Sequence, residues 1–387
     1  RAPKEFADDT AGLMFLRAAS NAHVPILTGF VNSAPPRFTT SGKACGGSLK
    51  PGMEDAYAQY LVDIVKHLHD DDHITLQYVS PMNEPDNSFS SCGQEGMAVP
   101  VDARAALVRA VAGALTSHDR DTRVIADESS TAFFQFLPEV PKWLDAATLP
   151  SVGALAHHAY EFPTDEWLKQ VSSLRRFGRP LWMTEICCYD GKGPIVGFGA
   201  QYDPTMTQGF WLADQIYDDL TVAGDSAWYW WTALSPVLGC DPKADPQCPT
   251  RKNTNGWNDG LLYYDERYAT SGVTRIFPTK RFSVLGQFSR YVRPGAVRHA
   301  VTGAPGGARM LAFADGDQWT VVAWNEGKDA QSLGIALPNG TRSPTQGTAT
   351  FTSEHDDLKQ GAPPARTSTG SWLVTIPPGT IATYTFK

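Results

Sequence analysis

Six short apolar runs alternate with stretches of helical periodicity between residues 24 and 231 of the chain. Polar side chains follow each run, so they recur at the same end of every predicted strand. The runs cover residues 24–31, 74–80, 122–127, 152–156, 179–184 and 225–231. Helical spacing is found over residues 8–22, 53–69, 102–117, 167–176, 205–222 and 280–291. Alternating strands and helices predict an α/β fold with a parallel sheet and outer helices.

Two α/β architectures use this alternation, the open doubly wound sheet and the (β/α)8 or TIM barrel. The Gly-rich turn between strand and helix that marks phosphate-binding doubly wound sheets is absent from the sequence. Polar residues at the carboxyl end of every strand are typical of the barrel, whose active site forms at that face. Because such a barrel needs eight strands, we expect the first two to precede residue 1, in an N-terminal segment of the same precursor that completes the barrel.

The pattern of the sequence changes after the last predicted helix. From residue 292 onwards, short alternating runs follow one another and are separated by Gly and Pro. These runs cover residues 310–313, 319–324, 348–351, 372–376 and 381–386. They predict a β-sandwich. We therefore predict two domains, a barrel over residues 1–291 and a sandwich over residues 292–387.

Two glutamates follow two of the predicted barrel strands. Glu84 comes shortly after the run 74–80, next to Asn83, and Glu185 directly follows the run 179–184. Hydrolysis of a glycosidic bond with retention needs two carboxyl groups about 5–5.5 Å apart. We predict that Glu84 and Glu185 are this catalytic pair and that Asn83 contacts the sugar 2-hydroxyl. Glu128 and Glu161, which also lie just past strands, are the competing acids.

Further polar and aromatic residues lie near the ends of the predicted strands. Of the adjacent His157 and His158, we favour His158 as a substrate-binding residue, because alternation along the strand places it on one face with Tyr160. A satisfied core histidine is the alternative. Trp231 ends the last strand and offers a ring for a sugar to stack on, with core packing as the alternative. Asn32 and Trp257 are predicted substrate-binding residues on the rim of the barrel.

Composition narrows the range of functions. The net charge of −8 argues against nucleic-acid binding, and no apolar stretch reaches the length of about 18 residues that a membrane span needs. Eleven Trp and thirteen Tyr indicate a ligand lined by flat rings. The Cys and His spacings do not resemble a zinc site, and we predict neither a metal nor a cofactor.

The six cysteines allow three disulfides. Cys240 and Cys248 close a short polar loop, and Cys45 and Cys92 lie in Gly-rich loops that could meet on one rim. The adjacent pair Cys187 and Cys188 is either two buried thiols or a vicinal disulfide. A glycosylation sequon at residues 339–341 is compatible with secretion, and we expect a monomeric extracellular protein.

The two glutamates and their surroundings resemble a known family. Asn83-Glu84-Pro85 after one strand, Glu185 after a later strand and the trailing sandwich are similar to glycoside hydrolase family 30, whose barrels carry the catalytic acids on strands four and seven. The resemblance implies that Glu84 is the acid/base, that Glu185 is the nucleophile and that configuration is retained. The segments 94–96 and 256–264 look most like the fungal endo-β-1,6-galactanase branch.

Three functions follow from this sequence. The leading hypothesis is a retaining endo-glycosidase that cleaves a β-linked polysaccharide, namely the β-1,6-galactan of arabinogalactan. A second hypothesis keeps the fold and changes the substrate to xylan or β-1,6-glucan, or changes the action to exo-cleavage. The third is a carbohydrate-binding protein without catalysis, which the aromatic content would fit but which has no need of two opposed carboxylates.

Overall fold

The computed structural model describes residues 9–118, 121–306, 308–338 and 344–387. The chain divides into two compact units. Unit 1 comprises the described residues up to Ile186 together with Gly193–Val196 and Asp219–Trp230. Unit 2 comprises Cys187–Lys192, Gly197–Asp218 and the described residues from Trp231 onwards. The predicted domain boundary after residue 291 stays a prediction.

Unit 1 is an α/β structure of eight strands and five α-helices among its described residues. The strands are β1 Thr28–Phe30, β2 Gly47–Ser48, β3 Tyr78–Ser80, β4 Met97–Ala98, β5 Arg123–Ser129, β6 Val152–His158, β7 Leu181–Glu185 and β8 Ala227–Trp228. The helices are α1 Thr10–Asn21, α2 Glu54–Asp70, α3 Val101–Ser117, α4 Leu137–Trp143 and α5 Asp165–Val171. Short 3-10 helices cover Pro36–Phe38, Leu149–Ser151 and Ser172–Phe177, and π-helical turns cover Ala132–Phe136 and Asp219–Ala223.

The main sheet of unit 1 contains six parallel strands in the order β1-β3-β5-β6-β7-β8. This is the chain order, with a helix or helical turn between neighbours, and it is the order of six consecutive strands in a (β/α)8 barrel. The predicted fold class is confirmed. All five residues of β7 are buried, as expected for a strand covered on both faces. The remaining two short strands of unit 1, β2 and β4, pair in parallel with each other.

The helices of unit 1 pack an apolar face against this sheet. In α2, Tyr57, Leu61 and Val65 recur at helical spacing and are buried in the main hydrophobic cluster. The predicted helices over 53–69 and 102–117 are confirmed as α2 and α3. The helix α4 is not predicted from the sequence because Pro138 and Pro141 lie inside its seven residues.

Unit 2 holds the remaining helices, a small mixed sheet and two antiparallel sheets. The helices are α6 Met206–Asp218, α7 Tyr268–Ser271 and α8 Lys280–Ser289, with a 3-10 turn at Cys248–Thr250. The short strands of the mixed sheet are β9 Leu234–Ser235, β10 Leu262–Tyr263 and β11 Phe277–Pro278, in the order β11-β10-β9. The later strands are β12 Val297–His299, β13 Ala308–Asp315, β14 Gln318–Asn325, β15 Gln331–Ile335, β16 Gly347–Thr352, β17 Lys359–Gln360, β18 Ala365–Arg366, β19 Trp372–Ile376 and β20 Thr380–Phe386.

The later strands of unit 2 form the predicted sandwich. One sheet has the order β12-β13-β14-β20-β16-β17 and the other the order β15-β19-β18. Buried side chains from both sheets form one core, which includes Trp319, Trp372, Tyr384 and Phe386. The strictly alternating burial of β19 shows why the sequence pattern predicts these strands.

The six cysteines form three disulfides. Cys45 is bonded to Cys92 and Cys240 to Cys248, which confirms both predicted pairs. Cys187 and Cys188 form a vicinal disulfide, so the alternative of two buried thiols is wrong. The sequon at residues 339–341 lies outside the described residues. Within the described part of the chain, no helix combines the length and the apolar character needed to cross a membrane.

Candidate active site

Glu84 lies four residues beyond the end of β3, at the carboxyl edge of the parallel sheet. Its backbone is in the left-handed region, with φ of 41°, which is an uncommon conformation for a residue other than glycine. The backbone N–H of Glu84 donates a hydrogen bond of 2.9 Å to the carbonyl of Glu128. This bond ties the turn after β3 to the end of β5, and it fixes the direction of the buried Glu84 side chain.

Glu185 is the last residue of β7. Its side chain is buried, and its backbone carbonyl accepts a hydrogen bond of 3.2 Å from the N–H of Ala159, just past β6. The carboxylate is therefore fixed at the same edge of the sheet as Glu84. Since consecutive parallel strands end at a common edge, residues far apart in sequence meet there.

The two carboxylates meet around the imidazole of His158, the last residue of β6. Its Nδ1 lies 3.3 Å from Oε1 of Glu84 and 3.6 Å from Oε1 of Glu185. One oxygen of each carboxylate and this histidine lie within 4.8 Å of one another. This spacing is close to that of the carboxyl pair in retaining hydrolysis and shorter than the separation of about 6.5–9.5 Å in inverting enzymes.

Tyr160 supplies a direct hydrogen bond to one of the acids. Its hydroxyl donates to Oε1 of Glu185 at 2.7 Å. The ring of Tyr160 also meets His158 edge-on, with centroids 5.9 Å apart, and Phe30 lies along the same imidazole at 6.1 Å. The orientation of the histidine is therefore fixed by packing as well as by charge.

Burial and charge act in opposite directions on these groups. Burial raises the pKa of Glu185, while the His158 charge and the Tyr160 hydroxyl act to lower it; the net direction is upward. Burial opposes the protonated form of His158, but the carboxylates of Glu185, Glu128 and Glu84 outweigh burial and raise its pKa well above the usual value. The surrounding carboxylates thus favour the imidazolium form of His158.

A third carboxylate, that of Glu128, belongs to the same cluster. Its Oε2 accepts a hydrogen bond from the hydroxyl of Thr184 and lies 3.4 Å from Nε2 of His158. Glu128 is fully buried, and its φ of 62° is again left-handed. The sequence identifies it only as a competitor for the catalytic role, and its contact with the histidine has no signature in the local sequence.

The other competing acid, Glu161, makes different contacts. Its Oε1 accepts a hydrogen bond of 2.8 Å from the backbone N–H of Phe133 at the start of a π-helical turn. Burial raises its pKa to about 7, although the hydrogen bond from Phe133 opposes this. His157, the residue before His158, lies with its Nε2 3.3 Å from Oδ1 of Asp225. Burial opposes the charge on His157, but Asp225 outweighs it and raises the pKa to about 9.

The remaining predicted residues of unit 1 are Asn83 and Asn32. Asn83 is buried, and its Oδ1 has no hydrogen-bond partner among the described residues, so this oxygen is left for a ligand. Asn32 is half-buried and follows β1. Both substrate-binding roles stay predictions.

Trp231 and Trp257 lie in unit 2. Trp231 is 40% exposed. Trp257 packs against Phe198, with ring centroids 5.2 Å apart. These are the surroundings of the two rings within their own unit, and their role in substrate binding stays a prediction.

The cluster could in principle be considered as a metal site, since Glu84, His158 and Glu185 each offer one ligand atom within 4.8 Å of the others. A metal would require the neutral imidazole, because only that form has a lone pair to give. The surrounding carboxylates favour the imidazolium instead. The arrangement also suits proton transfer and charge stabilisation.

Comparisons with known proteins indicate a family. Residues 5–138 match the model of O-glycosyl hydrolase family 30. A glucuronoxylanase XynC of Bacillus subtilis is 23% identical over 359 residues, which span 92% of this chain and 71% of that relative. These matches support glycoside hydrolase family 30. They also support an O-glycosyl hydrolase as the class of enzyme.

Solved structures of glycoside hydrolases share the fold. A family 30 endoxylanase from Clostridium papyrosolvens C71 superposes with a TM-score of 0.72 at 24% identity, covering 99% of this chain and 84% of that one. An endo-β-1,6-glucanase superposes with a TM-score of 0.65 at 14% identity, covering 96% of this chain and 74% of that one. Identities this low speak for the fold alone.

Proposed function

We propose that this chain is a retaining, endo-acting glycoside hydrolase that cleaves a β-linked polysaccharide with Glu84 and Glu185. The observation that carries the proposal is the convergence of these two carboxyl groups, with one oxygen of each within 4.8 Å of the other, around the imidazole of His158. The family 30 matches support the same class of chemistry. A binding protein would gain nothing from buried like charges held this close, since their repulsion and desolvation oppose folding.

The reaction proceeds in two displacements. Glu84, in its acid form, protonates the glycosidic oxygen while the Glu185 carboxylate attacks the anomeric carbon and forms a glycosyl ester. The leaving sugar departs with the proton. Glu84, now a carboxylate, takes a proton from water as the water attacks the same carbon, and the ester bond to Glu185 breaks. The two inversions give a product with the configuration of the substrate.

The surroundings of Glu185 support its role as the nucleophile. A raised pKa taken alone would suit an acid, but the Tyr160 hydroxyl and the His158 charge both stabilise the ionised carboxylate. Glu84 receives no such hydroxyl among the described contacts, and only the shared imidazolium lies beside it. Asn83 would offer its amide to the sugar 2-hydroxyl, where a hydrogen bond strengthens in the transition state.

For the substrate, we propose the β-1,6-galactan side chains of arabinogalactan. The support is the sequence likeness of segments 94–96 and 256–264 to the fungal galactanase branch. Xylan is the second candidate, because a glucuronoxylanase is among the relatives. An enzyme that recognises the glucuronate groups of xylan would need basic or tyrosine side chains that are free to bind them. Near the end of α8, however, Arg293 donates to the Ser289 carbonyl and the Tyr291 hydroxyl pairs with Thr350.

We also propose that the enzyme is secreted and acts as a monomer. Three disulfides in one chain suit an oxidising compartment outside the cytosol. Size-exclusion chromatography with light scattering would measure the oligomeric state. The presence of the protein in the culture medium of the producing cells would test secretion.

The function is tested by a panel of polysaccharides with matched variants. Arabinogalactan stripped of arabinose, glucuronoxylan and β-1,6-glucan are incubated with the protein, and new reducing ends and product lengths are measured. Mixed oligomers from the galactan are expected from the wild type, and loss of release by orders of magnitude from Glu84→Gln and Glu185→Gln. Glu161→Gln, another buried strand-end glutamate, serves as the control and should retain activity.

Three outcomes would change the proposal. Unchanged activity in both Glu84→Gln and Glu185→Gln would exclude the catalytic pair. Cleavage of xylan or β-1,6-glucan but not galactan would replace the substrate and leave the mechanism intact. Affinity for a polysaccharide without any release of reducing ends, in the wild type, would support a binding protein instead.

A further inference from the structure

Glu128 is a buried carboxyl group that the two-glutamate mechanism does not use. It lies in β5, is fully buried, and has a left-handed backbone with φ of 62°. A buried carboxylate is costly unless an opposite charge or several donors compensate it. Non-glycine residues in such a backbone conformation are retained mainly where the surroundings enforce them, often at functional sites. Glu128 therefore needs an explanation.

The contacts of Glu128 give few ways to compensate its charge. The described hydrogen bonds bring the Thr184 hydroxyl to Oε2 and none to Oε1. The nearest opposite charge is the imidazole of His158, with Nε2 at 3.4 Å from Oε2. The phenol of Tyr229 is also close enough for the Glu128 charge to raise its pKa, although burial is the larger cause. The groups around Glu128 thus include one neutral hydroxyl, one phenol and one possible cation.

The same histidine links Glu128 to the reacting groups. Nε2 of His158 faces Glu128, whereas Nδ1 faces Oε1 of Glu84 and Oε1 of Glu185. The ring is further held by Phe30 and Tyr160. A negative charge on the Nε2 side favours a proton on each ring nitrogen, and the proton on Nδ1 then points between the two catalytic carboxylates.

We propose that Glu128 is a positioning residue, whose carboxylate holds His158 as an imidazolium with its Nδ1–H directed at Glu84 and Glu185. The inference rests on the proposed function, because the carboxylates that His158 serves are the proposed catalytic pair. Glu128 itself touches no reacting atom. Its effect on the reaction passes through His158, which stabilises the ionised nucleophile.

A competing arrangement exists within the same contacts. The Thr184 hydroxyl lies 3.1 Å from the His157 carbonyl as well as next to Glu128. A hydroxyl has one proton to donate. If Glu128 were protonated, it could donate to Thr184, which would then donate to the His157 carbonyl. Glu128 would be neutral in that case and would not hold a proton on His158.

Nitrogen-15 NMR of the histidine side chains separates the two arrangements without any turnover. The chain has nine histidines, and loss of one signal in His158→Gln and of another in His157→Gln assigns the buried pair. Our proposal expects His158 of the wild type to remain an imidazolium well above the ordinary histidine pKa of about 6.5. In Glu128→Gln its titration should move down by about 1–3 pH units, and in Glu161→Gln it should not move.

Kinetics on the cleaved polysaccharide provide the second readout. In Glu128→Gln, kcat/KM should fall by about 10–100-fold, as for other partners that orient a functional histidine. The acid limb of its pH profile should move to higher pH, since the weakened His158 charge stabilises the Glu185 carboxylate less. Glu128→Asp keeps the carboxylate, so the acid limb of its pH profile should lie close to that of the wild type. In a His158→Gln background, Glu128→Gln should cause little further loss.

The results that would overturn the proposal are equally specific. The proposal is wrong if His158 titrates near 6.5 in the wild type, or if its titration is the same in Glu128→Gln. It is also wrong if Glu128→Gln lowers kcat/KM as strongly in the His158→Gln background as in the wild type. The wild-type titration keeps the test valid if Glu128→Gln does not fold. If no polysaccharide is cleaved at all, the proposed function fails, while the NMR result still decides the charge relation between Glu128 and His158.

Discussion

Two buried polar clusters of this molecule differ in how well their charges are compensated. In unit 2, the fully buried Arg281 donates to the Asp203 carbonyl, to Asn258 and to the Gly260 carbonyl at 2.8–3.1 Å. The Asp203 carboxylate is itself paired with Lys252 at 2.8 Å. In unit 1, by contrast, the three carboxylates of Glu84, Glu128 and Glu185 share one imidazole.

The difference indicates which cluster serves the fold and which serves a reaction. Each charge of the unit 2 cluster has an opposite charge or several hydrogen bonds, as a stable core requires. The unit 1 cluster carries excess negative charge, and both Glu84 and Glu128 have left-handed backbones. Such strain and repulsion oppose stability, and they are tolerated where pKa values must be shifted for chemistry.

The largest effect is expected from removing either of the two proposed catalytic carboxylates. Glu84→Ala and Glu185→Ala should each lower kcat by on the order of 10³-fold or more, while the temperature of unfolding stays the same or rises because a buried charge is lost. Azide can enter the space left by the missing carboxylate. Using an activated aryl glycoside, the β-glycosyl azide is expected from Glu84→Ala and the α-glycosyl azide from Glu185→Ala, as measured by proton NMR.

Each variant is the control for the other, because the two differ only in the face of the sugar that azide attacks. The same azide anomer from both variants would contradict the assignment of acid/base and nucleophile. A large loss of stability in either variant would contradict the functional character of the cluster.

The unit 2 cluster should respond in the opposite way. Arg281→Met leaves Asn258 and two backbone carbonyls without their donor and should lower the free energy of unfolding by about 3–5 kcal/mol. The control is Arg309→Met. Its guanidinium is half-exposed beside Asp214 and Asp218, and its loss should cost within about 1 kcal/mol. Urea denaturation, followed by tryptophan fluorescence, measures the free energy of unfolding of both variants. Equal losses in the two variants would contradict the proposed difference between the clusters.

Tyr160→Phe tests the charge on Glu185 more finely. The Tyr160 hydroxyl lowers the pKa of Glu185, so its removal should raise that already elevated pKa further. Because the nucleophile must be ionised, the acid limb of kcat/KM should move to higher pH. Tyr229→Phe is the matched control, since its hydroxyl pairs with Thr28. A downward shift, or an equal shift in both variants, would show that Tyr160 does not act on Glu185.

The smallest effect concerns Glu161 and stability. The folded state raises its pKa from 4.5 to about 7, so the folded state binds more protons than the unfolded state in this interval. The resulting stabilisation is complete below pH 4.5 and is lost as pH rises through 7. The glutamine of Glu161→Gln does not titrate. The temperature of unfolding of the wild type should therefore fall relative to that of this variant between pH 4.5 and 7. A difference that stays constant with pH would contradict the shift.

The sequence predicts the sheet because burial leaves a clear pattern. The runs that became β5, β6 and β7 are apolar at their centres, where the strands are buried on both faces. The sequence pattern does not predict the helix α4, because its two prolines are typical of a helix end or a loop. Cys187 and Cys188 are equally ambiguous, since adjacent cysteines have the same sequence whether or not they are bonded.

The site is only partly predictable, and irregular strands are the reason. Alternation predicts which face a side chain occupies only while the register is regular. The pairing of β5 with β6 shifts between Asp127 and Ser129, and the pairing of β6 with β7 shifts between His157 and His158. Such bulges redirect side chains. Asp127 consequently pairs with Arg104, whereas the adjacent Glu128 contacts His158.

The stereochemistry of cleavage tests the central claim most directly. Proton NMR of the fresh reaction follows the anomeric signal of the new reducing end before mutarotation. Two carboxylates this close predict that the β-anomer appears first from a β-linked substrate. An initial α-anomer would mean that water attacks directly, and it would contradict a mechanism in which Glu185 forms a bond to the sugar.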